Sequence, residues 1–176
     1  CNQQQFMKTI ALLFVSFLSL VTTLPNKTVS YVDSHRFAGT WYSLYSIPTM
    51  FDKGSKQTTT HYTLNKDGYY DVVTTCIKNG QGDLRTVKSK IFRVDGTTDG
   101  QMKAQFIWPF KVDYWVVDLA PDYSWAVVGH PDHKFLFIMS RKPEMDAKLH
   151  EEIVARCKAM GYPVETLVSQ QFPGAK

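Results

Sequence analysis

The sequence predicts an all-β fold, an eight-stranded antiparallel up-and-down barrel with a C-terminal α-helix packed on the barrel wall. Eight short stretches rich in β-branched and aromatic residues follow one another between residues 40 and 140. Turn residues separate them, and no helical periodicity appears before residue 145. Hairpin connections of this kind make a meander, and eight meandering strands can close on themselves and remove their exposed edges. An open sandwich is the other arrangement open to such strands.

The first strand, 40–47, stops at Pro48, and the second, 56–64, ends at Asn65-Lys66-Asp67-Gly68, whose Asp-Gly supplies hairpin turn chemistry. Residues 69–78 stop at Asn79-Gly80, 84–94 run into Asp95-Gly96, and 101–108 run into Pro109. Residues 112–119 end at Ala120-Pro121-Asp122, 123–129 end at Pro131-Asp132, and 134–140 close the series. In 101–108, Met102, Ala104, Phe106 and Trp108 alternate with Gln101, Lys103 and Gln105, so one face is apolar and the other wet. The last three strands are apolar on both faces, as in Tyr114 and Val116 beside Trp115 and Val117, so their outer side needs a cover. Residues 145–160 supply it: Leu149, Ile153, Val154, Cys157 and Met160 form one helical stripe opposite Lys148, Glu151, Glu152 and Lys158, and Gly161 is a natural C-cap. A short edge strand is expected within 164–169.

The 176 residues are one domain's worth, and 44% hydrophobic with 20% charged residues excludes disorder and a polytopic membrane protein. Eleven Phe, nine Tyr and four Trp are a large aromatic share that must line a core, an interface or a cavity. The formal charge of +4 is spread along the whole chain, which excludes a nucleic-acid stripe. Residues 1–24 read as upstream sequence plus a signal peptide or N-terminal anchor: Met7 and Lys8 precede an apolar run from Ile10 to Val21, short for a membrane span and right for a signal. A rival reading makes Cys1 a lipidated first residue. The domain itself spans 32–170, and 171–176 form a tail. Asn26-Lys27-Thr28 fits a glycosylation sequon. Cys76 and Cys157 are either a disulfide or two separate thiols.

Other motifs carry little chemistry. His130-Pro131-Asp132-His133 has metal-like spacing on a turn but only one acidic neighbour, so no metal site is expected. Glu151 and Glu152 point apart on a helix, and Gly80-x-Gly82 opens no helix and cradles no phosphate.

Phe37-Ala38-Gly39-Thr40-Trp41-Tyr42 resembles the Gly-x-Trp opening of the lipocalins, and the loop Ile47-Pro48-Thr49-Met50-Phe51-Asp52-Lys53-Gly54 looks like the one that follows it in the apolipoprotein D and bacterial outer-membrane group. The stretch from Asp113 to Gly129 is similar to the second signature of that group, and Phe135-Leu136-Phe137-Ile138-Met139-Ser140-Arg141 to the third. The resemblance implies a calyx with one closed and one open end, with Trp41 across the closed end, Arg141 stacked on it, and Gly39 beside them as structural residues. No Cys follows Leu20, where relatives carry a lipidation site. This speaks against membrane tethering and for a soluble periplasmic or secreted protein; with the signal-like run, the expected setting is export, periplasmic or outer-membrane-associated if bacterial and otherwise secreted.

Alternation and the resemblance together place Tyr62, Val72, Thr74, Phe106, Tyr114, Trp125 and Phe137 facing inward, with Thr60, Trp108 and Phe135 as second choices. Lys78 matches a basic pocket residue of the family and could pair with an anionic head group, or it is a solvated turn lysine. Ile47, Met50 and Phe51 would form an apolar lip suited to membrane contact or to a homodimer. The expected function is to bind, store or transport a small hydrophobic ligand, a fatty acid or lysophospholipid, in cell-envelope maintenance, with no cofactor and no catalytic residue. The alternative is an enzyme using interior Cys76 as nucleophile, which would need a nearby base or cation.

Overall fold

The computed structural model describes residues 23–78 and 82–173. The signal-like run, Cys1, the Asn79-Gly80 turn and the end of the tail lie outside the described residues.

A four-residue helix, α1 (Ser34–Phe37), precedes eight strands: β1 (Gly39–Ile47), β2 (Ser55–Leu64), β3 (Tyr70–Lys78), β4 (Leu84–Arg93), β5 (Gln101–Ile107), β6 (Phe110–Leu119), β7 (Trp125–Gly129) and β8 (Leu136–Ser140). Each pairs antiparallel with the next, and β1 pairs with both β8 and β2, which closes the sheet into the expected barrel. The turns at 65–69, 94–100 and 120–124 gather at the end covered by α1, and those at 48–54, 108–109 and 130–135 gather at the mouth. Strand β7 starts later than its composition suggests because Tyr123, at φ 62°, and Ser124 belong to a turn in which Asp122 Oδ1 accepts from the Ser124 amide at 3.0 Å.

The second helix, α2 (Ala147–Ala159), begins at Asp146, whose Oδ1 accepts from the Leu149 amide at 3.0 Å. Ile153 and Cys157 face the wall and join Ile47, Val117, Val127, Leu136 and Ile138 in a second apolar cluster outside the barrel. The doubly apolar faces of β6, β7 and β8 are thereby covered on both sides. Tyr162, just past α2, lies so close to β7 that a Cβ on Gly129 would sit 2.2 Å from its hydroxyl, so this wall position takes only glycine. The same hydroxyl shares its proton between Asn26 Oδ1 at 3.0 Å and His130 O at 3.1 Å.

Residues on both sides of the barrel strands, 24–29 and 168–170, are tied back to the body of the fold. The Leu24 amide donates to Ala159 O, the Val29 amide donates to Val116 O, and Asn26 Nδ2 donates to the carbonyls of His130 and Pro131. Asn26 therefore serves as a structural strap, and a glycan on its Nδ2 would break these bonds. At the other end, β9 (Val168–Ser169) pairs with Tyr45 and Ser46 of β1, in the upper half that β2 leaves after pairing only with 39–42. Residues Val164–Thr166 of the expected edge strand form a single 3-10 turn instead. Gln170 completes the seam. Its amide donates to Leu44 O, its carbonyl accepts from the Gln57 amide, its Nε2 donates to Ser46 Oγ at 2.8 Å, and its Oε1 accepts from Thr58 Oγ1 at 2.8 Å.

Candidate functional site: the barrel interior

The closed end is built on α1, which is too short to show periodicity and has one local signal, Asp33, whose Oδ1 accepts from the amides of His35 and Arg36. It brings Phe37 to the barrel axis, where the rings of Phe37, Trp41, Tyr62 and Tyr70 meet at centroid distances of 5.4 to 6.1 Å. Trp41 Nε1 donates to Phe37 O at 2.8 Å and the Tyr70 hydroxyl to Ser34 O at 3.1 Å. The Arg141 guanidinium lies 3.7 Å from the Trp41 ring centroid and donates to the carbonyls of Thr40 and Ala38, each at 2.9 Å, and of Arg36. Gly39, at φ 94°, passes beneath that guanidinium, and a Cβ there would stand 3.3 Å from Arg141 Nη1.

Above the floor the inner wall carries Val72, Ala104, Tyr114, Val128 and Met139, with Phe135 and Phe137 packed together at 5.3 Å and 35°. Tyr62 and Tyr114 join hydroxyls across the lumen, and burial pushes both phenols above their ordinary value. Thr60 and Thr74, one step nearer the mouth, share a hydrogen bond at 3.2 Å. Tyr62, Val72, Thr74, Tyr114, Phe135 and Phe137 thus stand together on the inner surface.

Trp125 is a correction. It lies in the outer cluster, with Arg156 5.3 Å from its ring centroid, because Ala126 and Val128 hold the inner face of β7. Both faces of this strand are apolar, so alternation alone does not tell in from out. Ile47 is a second correction: a register shift between Ser43 and Tyr45 turns the end of β1 over, and Ile47 is buried against the helix side instead of lying at the lip. Phe106 and Trp108 stand at the mouth, 57% and 82% exposed, and do not line an enclosed wall. Lys78 Nζ donates to Lys53 O at 2.7 Å and Phe51 O at 3.3 Å, so it latches the 48–54 loop. Met50 and Phe51 are 82% and 83% exposed, and Leu84, Ile107 and Phe110, which the strand pattern hides among ordinary hydrophobics, join them on the rim.

Cys76 and Cys157 are both free and buried. Burial pushes the Cys157 thiol up to about 12, as suits a residue packed under a helix. Cys76 bonds Ser55 Oγ at 3.5 Å, while the two groups that could activate it are engaged elsewhere, Lys78 with the loop and His61 Nδ1 with Thr40 Oγ1 at 2.8 Å. His130 and His133 serve the turn and the helix end: His130 Nδ1 accepts from the Asp132 amide, and His133 Nε2 pairs with Met160 O. Outside the closed end a shallow cleft of about 420 Å³ is lined by Tyr31, Val32, Asp33, Ser34, His35, Leu64, Gly68 and Arg93. Its charged groups are committed, Asp33 to α1 and Arg93 to Asp99 at 3.3 Å.

A closed eight-stranded calyx with an aromatic floor, an apolar inner wall and an open upper end defines the class of small β-barrels that enclose space for one molecule. The chain belongs to the lipocalin-like family, whose domain model matches residues 32–171. Among relatives it is 28% identical over 146 residues to the outer membrane lipoprotein Blc of Vibrio cholerae, covering 82% of this chain and 85% of that one. It is 29% identical to temperature-induced lipocalin-1 of Arabidopsis thaliana, with 80% of each covered, and 27% identical to apolipoprotein D of Bos taurus, with 63% of this chain and 61% of the relative covered. In fold it is similar to insecticyanin from the tobacco hornworm Manduca sexta, with a TM-score of 0.67, 20% identity, and 86% and 87% of the two chains covered.

Proposed function

We propose that this protein binds and carries a small hydrophobic ligand in the barrel interior, with fatty acids and lysophospholipids as the first class to test. The observation that supports this most is the inner surface itself, apolar from Trp41 at the floor to Phe135 and Phe137 and ringed above by exposed apolar side chains. Removing such a ligand's chain from water is favourable by about 25 cal/mol per Å² of apolar area, which holds a long acyl chain without chemistry. With the Lys78 ammonium bound to the 48–54 loop, the affinity comes chiefly from the apolar body of the ligand and not from an ion pair between Lys78 and its head group. Organic extraction of the purified protein followed by mass spectrometry is expected to yield a lipid. An empty extract together with no binding of a fluorescent fatty acid would overturn the proposal.

The rim supports contact with a membrane surface, now carried by Met50, Phe51 and Trp108 without Ile47. Co-sedimentation with lipid vesicles tests it, and a concentration-dependent dimer that hides the same residues is the competing outcome. An exported setting, as for relatives named as outer membrane lipoproteins, suits a carrier that meets membranes. A Cys76-dependent activity gains no support from a thiol whose candidate activators are engaged elsewhere.

A further inference from the structure

Tyr62 on β2 and Tyr114 on β6 reach across the lumen from opposite walls, just above the aromatic floor, and are 2% and 8% exposed. Their hydroxyls bond to each other and, among the described residues, to nothing else. Each phenol brings one proton and two lone pairs, so one proton makes the bond between them and the second has no acceptor. The other polar groups of the floor cannot supply one: the Tyr70 hydroxyl and the Trp41 indole donate to main-chain carbonyls, and Arg141 is itself a donor. A buried donor without an acceptor is costlier than the hydrogen bond it lacks is favourable, so the lumen is incomplete at this point.

No acceptor is at hand among the described residues, so the missing partner is one that arrives from elsewhere, and its chemistry is constrained. Burial keeps both phenols protonated, and the cations beside the floor are occupied, Arg141 by Trp41 and the carbonyls around it and Arg93 by Asp99 and the Val32 carbonyl. A carboxylate would therefore arrive at the phenols without a counter-charge, which is strongly unfavourable in an apolar site. A neutral carbonyl meets the proton at no such cost. We propose that the Tyr62–Tyr114 pair is a hydrogen-bonding end-stop, and that the barrel selects apolar molecules entering with a neutral carbonyl oxygen foremost. The proposal rests on the reading of the barrel as a binding cavity and refines it. A plain acyl tail fills the same volume but leaves the proton unmet.

The test uses the full chain, the variants Tyr62→Phe, Tyr114→Phe and the double variant, and a matched pair of probes, 2-pentadecanone and pentadecane, each displacing a fluorescent fatty acid. The wild type is expected to prefer the ketone about tenfold. Each single variant keeps that preference within about threefold, because the remaining hydroxyl loses its partner and its proton is free to donate. The double variant binds both probes alike, with pentadecane affinity retained. Infrared spectra of the bound ketone add an independent readout: a carbonyl stretch shifted to lower wavenumber in the wild type and unshifted in the double variant. Equal binding of the two probes by the wild type, a preference that survives in the double variant, or an unshifted stretch in the wild type, as when a trapped water meets the proton, would overturn the end-stop alone. Failure of both probes to displace the fatty acid would overturn the cavity reading with it. Should the double variant not fold, the wild-type preference and its infrared shift still decide.

Discussion

At the closed end of the barrel Trp41, Tyr70 and Arg141 have partners for their polar groups and Tyr62 packs edge to face on Phe37 and Tyr70, whereas at the mouth Met50, Phe51, Leu84, Ile107, Trp108 and Phe110 stand largely in water. The same strands run through both ends. What differs is where apolar area goes: the floor buries it in the fold, and the rim leaves it available to something else. Stability and binding are thus separated along the barrel axis, and substitutions at the two ends should fail in different ways.

The largest effect is expected at the floor. Trp41→Ala should destabilise the fold by about 3–5 kcal/mol, through the cavity and the lost seat of Arg141, measured by denaturant unfolding. A loss of under 1 kcal/mol would mean that the floor is not where the stability lies. Midway up, Gln170→Ala removes both side-chain bonds of the seam and leaves buried Ser46 without its donor, which should cost about 1–3 kcal/mol in the same assay. Smallest of all, serine at Met50, Phe51 and Trp108 should change stability by no more than about 0.5 kcal/mol per site while reducing vesicle co-sedimentation. If the serine variant instead unfolds as readily as Trp41→Ala, the division of labour between the ends is wrong.

Much of this was legible in the amino-acid order. The strand succession, the Leu149 to Met160 stripe and the closed-end residues Gly39, Trp41 and Arg141 follow from spacing, periodicity and signature, because each rests on a local pattern that burial repeats. Trp125 was not legible, since β7 is apolar on both faces and only the competition of Ala126 and Val128 for the lumen decides its side. Ile47 was lost to a bulge, which leaves no mark in composition but inverts every side chain beyond it. Lys78 looked like a pocket residue because its strand position is right, yet two carbonyls of a loop more than twenty residues away claim its ammonium. The floor helix α1 was missed for a simpler reason: four residues are too few for a period.

The seam at Gln170 has a consequence in time. The residues it joins, Leu44, Ser46, Gln57 and Thr58, leave the ribosome more than a hundred residues before it does. The floor and the eight-strand meander can assemble while synthesis continues, but the upper wall between β1 and β2 stays unfinished until residue 170 emerges. The nascent barrel therefore carries a lateral slit, and residues 168–170 shut it only once they emerge.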